Sequence, residues 1–147
     1  MGENARILVV DNNESVRKIL QTVLEYVGCT VETAKTGKEA LKIAKVRHPN
    51  LALVDYSLID MELTTFLRKI GKIAPLTQII VVADKPSLRK VMEMVSKACK
   101  KPYPYLLKPF GMENALTMIR EQLRKQRWRK RGKSVTIEFV KPLERRV

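Results

Sequence analysis

With 147 residues, 45% of them apolar and 30% charged, the chain has the length of one ordinary domain and a composition that excludes disorder. No apolar run reaches the ~18 residues of a membrane span, and Met1-Gly-Glu-Asn-Ala-Arg6 is not expected to act as a signal peptide. The net charge of +14 is uneven: residues 120–147 hold eleven Lys/Arg against three Glu, a net +8. This asymmetry sets a basic tail, residues 124–147, apart from a domain over residues 1–123.

Ile7-Leu-Val-Val10 reads as a buried first strand. Asn12 and Asn13 can cap the helix that follows, whose Val16, Ile19, Leu20, Val23, Leu24 and Val27 fall on one face before Gly28 stops it. Residues 30–34 form the second strand. A second helix starts near Thr36 or Gly37, buries Ala40, Leu41 and Ala44, and ends at His48-Pro49. Residues 51–54 make a third strand that ends in Asp55, and residues 63–70 a short third helix. Ile79-Ile-Val-Val82 is the fourth strand. Pro86 suits the first turn of a fourth helix expected to bury Leu88, Val91, Met92 and Val95, with Met94 as helix filling. Residues 105–107 form the fifth strand, ended by Lys108-Pro109. The fifth helix, from Met112, places Leu116, Ile119 and Leu123 on its apolar face.

Five short apolar strands separated by helices call for an α/β architecture, with a doubly wound five-stranded parallel sheet covered on both faces. Open sheets of this kind bind ligands at the carboxyl ends of their strands, so Asp55 and Lys108 mark the candidate site. Cys29 and Cys99 have no metal-ligand spacing and are expected as reduced thiols, consistent with a cytoplasmic location. The single histidine, His48, sits at a helix end as a surface or capping residue. No nucleophile–base constellation, zinc spacing or Gly-rich phosphate loop is present, and no enzyme activity is expected.

The series Ile7-Leu-Val-Val-Asp11, Leu53-Val-Asp55, Ile79-Ile-Val-Val82 and Leu106-Leu-Lys-Pro-Phe110 resembles the receiver domain of bacterial two-component response regulators, over residues 5 to about 123. The resemblance implies a flavodoxin-like strand order of 2-1-3-4-5. It also implies that Asp55 is the phosphoacceptor for a histidine kinase or phosphotransfer protein, and that Mg²⁺ is the cofactor. The metal set it implies is Asp11, Asn12, Asp55 and the backbone carbonyl of Ser57. Asn12 stands where the family has a second acid, so Mg²⁺ binding is expected to be weak or absent.

Lys108 fits the family's phosphate-pocket lysine and Tyr105 its aromatic switch. Ala83 replaces the family's Thr or Ser, and Asp84 the small residue after it. The site is therefore expected to be partly eroded, with Asp84 open to two further readings. It could pair with Lys108 and hold one conformation, or replace the acid lost at Asn12 as a metal ligand. Tyr56 is expected to turn to the opposite face of the strand end, or into the loop, and to shield the site.

The fifth helix is expected to run on to Gly132, and Val135, Ile137 and Phe139 alternate as in a half-buried strand over residues 134–140. Such a strand must pair, which points to a homodimer through it or through the face of the fourth helix, fifth strand and fifth helix. Residues 100–104, with Pro102 and Pro104, lengthen the loop on that face. The function expected is signalling through protein–protein contacts, with no membrane association. The alternative is a phosphorylation-independent nucleic-acid-binding regulator using Arg127, Trp128, Arg129, Lys130 and Arg131.

Overall fold

The computed structural model describes residues 4–99 and 101–130, with side chains in the last helix as far as Gln126. Elements alternate along the chain: β1 (Arg6–Val10), α1 (Glu14–Tyr26), β2 (Thr30–Ala34), α2 (Gly37–Arg47), β3 (Leu51–Asp55), α3 (Leu63–Ile73), β4 (Gln78–Asp84), α4 (Lys85–Ala98), β5 (Tyr105–Lys108) and α5 (Met112–Lys130). The five strands form one parallel sheet in the order β2-β1-β3-β4-β5. This is the doubly wound architecture expected from the strand pattern.

Successive residues of a strand face opposite sides of its sheet, so an all-apolar strand feeds two cores. Ile7, Val9, Leu51, Leu53, Ile80, Val82 and Leu106 pack beneath α1 and α5. Leu8, Val10, Ala52, Val54, Ile79 and Val81 pack beneath α2, α3 and α4. Ala34, Ala40, Ala44 and Ala52 keep the second core shallow, and Phe66 of α3 fills it with no exposure. Phe66→Ala should therefore cost about 3–5 kcal/mol.

Local signals account for most element ends. Asn13 caps α1 by accepting from the Val16 N–H at 3.1 Å, and Gly28 adopts φ +100° just beyond its end. His48 ends α2 in the left-handed region at φ 48°, which lets the chain turn into Pro49. Three expectations need correction. Ile19 is 55% exposed, because α1 packs by a narrower stripe centred on Leu20 and Leu24. Met92 is 46% exposed and Met94 equally outside the core, since α4 buries only Val91 and Val95 fully. The helix α3 runs three residues past position 70, and its cap Ala74 is itself buried.

The candidate strand over residues 134–140 and the helix end at Gly132 lie outside the described residues, as does Arg131. Up to Gln126, α5 stays packed: Gln122 and Gln126 are buried, and Asn50 Nδ2 donates to Gln126 Oε1 at 3.4 Å. No helix among the described residues is long and apolar enough to cross a membrane.

Candidate functional site

Asp11, Asp55 and Lys108 meet at the carboxyl edge of the sheet. Asp11 immediately follows β1, and Asp55 and Lys108 are the last residues of β3 and β5. The period of two sends all three toward the α1/α5 face, in line with Val9, Leu53 and Leu106 beneath them. Both carboxylate side chains are 4% exposed, and the Lys108 ammonium reaches Asp11 Oδ2 at 3.1 Å and Asp55 Oδ1 at 3.2 Å. Burial alone would lower the Lys108 ammonium, but the Asp11 hydrogen bond and the Asp55 charge outweigh it and hold the group above its ordinary value.

The surrounding loops fix these groups. Asp11 Oδ1 accepts from the Asn13 N–H at 2.9 Å, and the Asp11 carbonyl accepts from Arg17 Nη1 at 2.7 Å. Asp55 Oδ2 accepts from the Ser57 hydroxyl at 2.6 Å and from the Ser57 N–H at 3.3 Å. The resting Asp55 carboxylate thus has both oxygens engaged. Asn12 is exposed, so the two buried carboxylates with anionic oxygen are Asp11 and Asp55.

A different arrangement occupies the β4–α4 junction. Ala83 is fully buried and supplies no hydroxyl. Strand β4 passes into α4 without a loop, which makes Asp84 the N-cap residue. Its Oδ1 accepts from the Ser87 N–H at 2.8 Å, and its Oδ2 accepts from the Tyr56 hydroxyl at 2.9 Å. The Tyr56 and Ser87 hydroxyls are 3.0 Å apart. The Ser87 and Tyr56 hydrogen bonds hold the Asp84 carboxyl below its usual range, with Lys108 a minor contributor.

The pairing of Asp84 with Lys108 is corrected by this geometry. Asp84 and Lys108 are register partners across β4 and β5, yet the ammonium turns to Asp11 and Asp55. A lysine placed between two buried carboxylates satisfies more charge there than beside a carboxylate already held by the Ser87 N–H and the Tyr56 hydroxyl. Tyr56 packs on the α2/α3/α4 core, with its hydroxyl on Asp84. Tyr105 also packs on that core, and burial, then Cys99, pushes its phenol up.

One anchoring residue was not found from sequence. Asp60 accepts from the Gly37 N–H at 2.8 Å and from the Lys38 N–H at 2.9 Å, so the loop that begins at Asp55 is tied to the start of α2. Burial would raise the Asp60 carboxyl, but the Lys38 and Gly37 N–H groups outweigh it and hold it low. Thr36 satisfies only the Glu39 N–H. The first two helical N–H groups therefore needed an outside acceptor, and that need was the available signal. Gly37 also allows close approach, because a Cβ there would lie 3.0 Å from Met61 Sδ.

A 2-1-3-4-5 parallel sheet thus brings buried carboxylates after β1 and on β3 to a lysine from β5 at one edge. Residues 7–120 match the response regulator receiver domain, and the chain belongs to that family. It is 32% identical over 120 residues to a probable transcriptional regulator, ycf27, of Cyanophora paradoxa, covering 82% of this chain and 48% of the relative. It is 33% identical over 137 residues to the response regulator MprA of Mycobacterium leprae, covering 91% and 58%. The chain thus spans about half the length of these relatives. The solved CheY-like receiver domain protein of Methanospirillum hungatei superposes with a TM-score of 0.76 at 33% identity, covering 85% of this chain and 98% of that one.

Receiver domains bind Mg²⁺ at the phosphorylation site and interact with kinases or phosphotransfer proteins. The donor chemistry here fits the ion, since Mg²⁺ keeps several waters and needs one or two carboxylates. The residues that would hold it are Asp11 and Asp55, with the Ser57 carbonyl.

Proposed function

We propose that this receiver domain acts through protein–protein contacts, with Asp55 as phosphoacceptor, weakened Mg²⁺ binding, and little transmission from Asp55 to the β4–α4 region. The observation that carries this reading is Asp84, bound to the start of α4 and to Tyr56 where the neighbouring Ala83 has no hydroxyl. With Ala83 unable to draw β4 toward a new phosphoryl group, the junction keeps its resting contacts.

The chemistry at Asp55 follows from its neighbours. Ser57 must rotate its hydroxyl away so that Asp55 Oδ2 has a free lone pair to attack the donor phosphorus. The bond from phosphorus to the donor's leaving atom breaks as the acyl phosphate forms. Lys108, already beside Asp55 Oδ1, offsets the charge on the phosphoryl oxygens. Bound Mg²⁺ would supply further positive charge there.

The donor is a histidine kinase or phosphotransfer protein, and the domain works in the cytoplasm. The description of the ycf27 relative as a probable transcriptional regulator favours a regulatory output, while a nucleic-acid role for residues 127–131 rests on their charge and on Trp128. Incubation with Mg²⁺ and acetyl phosphate, followed by intact-mass measurement, tests the acceptor. A single phosphoryl adduct that disappears in Asp55→Ala is expected. An adduct surviving that substitution, or none in the parent chain, would overturn the assignment.

A further inference from the structure

Away from the aspartate site, α2 and α3 enclose an open groove of about 570 Å³. Its floor is apolar, made by the half-buried side chains of Leu41, Met61 and Ile73. Its walls are cationic. Lys38, Lys42 and Lys45 recur at i, i+4 and i+7 along α2, and Lys69 and Lys72 at i and i+3 on α3. The one carboxylate of the lining, Asp60, is already engaged by the N–H groups at the start of α2. Among the described residues, none of the five lysines lies within ion-pair distance of a carboxylate.

We propose that this groove docks an acidic amphipathic helix of a partner protein, with an apolar stripe on the floor and carboxylates along both edges. Two packed helices with an apolar trough between them are the usual receiver of a helix laid in a groove. The lysine rows make the site selective for negative charge and speed encounter more than they add affinity. A second copy of this chain, at +14, and its own tail, at net +8, carry the wrong sign. A nucleic acid would satisfy the lysines through phosphates but would leave the apolar floor without a partner. The proposal goes beyond the aspartate chemistry, and its test needs no phosphodonor.

The probe is a fluorescein-labelled helical peptide with Leu at i, i+4 and i+7 and Glu on both flanks, read by anisotropy. Its control has the same composition with the Leu positions scrambled. The patterned peptide should bind at micromolar concentration and the scrambled one about tenfold more weakly. Lys42→Glu with Lys69→Glu should weaken binding at least about tenfold, whereas Arg89→Glu with Lys90→Glu on exposed α4, an equal change in net charge, should cost only about twofold. Leu41→Gln, which alters the floor but no charge, should also weaken it. Far-ultraviolet circular dichroism checks that each variant folds. Equal binding of the two peptides, equal loss from the two charge reversals, or no binding would overturn the proposal. So would tighter, Lys42- and Lys69-dependent binding to a DNA duplex or to phosphatidylglycerol vesicles.

Discussion

The edge made by β1, β3 and β5 and the junction between β4 and α4 lie side by side at one end of the sheet, but they are built differently. The first brings two buried carboxylates to one ammonium. The second replaces a hydroxyl with Ala83 and fastens its carboxylate to its own helix and to Tyr56. On the proposed reading, this receiver keeps the place where a phosphoryl group bonds while losing the contact that reports it. Forming the acyl phosphate needs charge stabilisation around Asp55, whereas transmission needs a movable partner on β4. These demands fall on different strands and can change separately.

Substitutions at the two regions test this contrast. The largest effect expected is from Asp55→Ala, which should abolish phosphoryl labelling in the intact-mass assay. Next comes Ala83→Thr combined with Asp84→Ala. It restores a hydroxyl on β4 and releases the Tyr56 tie, so phosphodonor should now shift the amide resonances of Tyr105 and α4. Asn12→Asp should raise Mg²⁺ affinity about tenfold by adding one anionic oxygen, as read by calorimetric titration. Ser57→Ala should speed acetyl phosphate labelling by a few-fold, roughly 1 kcal/mol, by freeing Asp55 Oδ2.

The smallest effect is on stability against pH. The Asp84 carboxyl is held below its ordinary value of 3.8, so the stability it contributes is fully present above that pH. It is lost as pH falls through the lowered value. Asp84→Asn keeps a capping side chain but cannot ionise. In urea titrations its deficit against the parent chain should therefore be constant near neutrality and shrink below pH 3.8.

The strands were legible because a parallel sheet covered on both faces demands short, wholly apolar runs, as in residues 7–10 and 79–82. Asp55 and Lys108 were legible for a related reason, since an ionisable group ending such a run lies at the sheet's open edge. Helix faces were less secure. Periodicity placed Ile19 and Met92 with their apolar neighbours, but α1 fully buries only Leu20 and Leu24, and α4 only Val91 and Val95. The behaviour of Asp84 was not legible. Whether it meets Lys108 or α4 depends on Tyr56, 28 residues away in the chain, and on the lack of a loop between β4 and α4. Asp60 was missed for the same reason: its partners lie 22 and 23 residues earlier.

The central claim is that Asp55 can respond without the β4–α4 junction following. Backbone NMR of the ¹⁵N-labelled chain with Mg²⁺ and beryllofluoride, a phosphoryl mimic, tests it most directly. Shifts are expected at Asp11, Asp55, Ser57 and Lys108, with Ser87, the rest of α4 and Tyr105 unmoved. Shifts that extend to α4 and Tyr105, or none at Asp55, would contradict it.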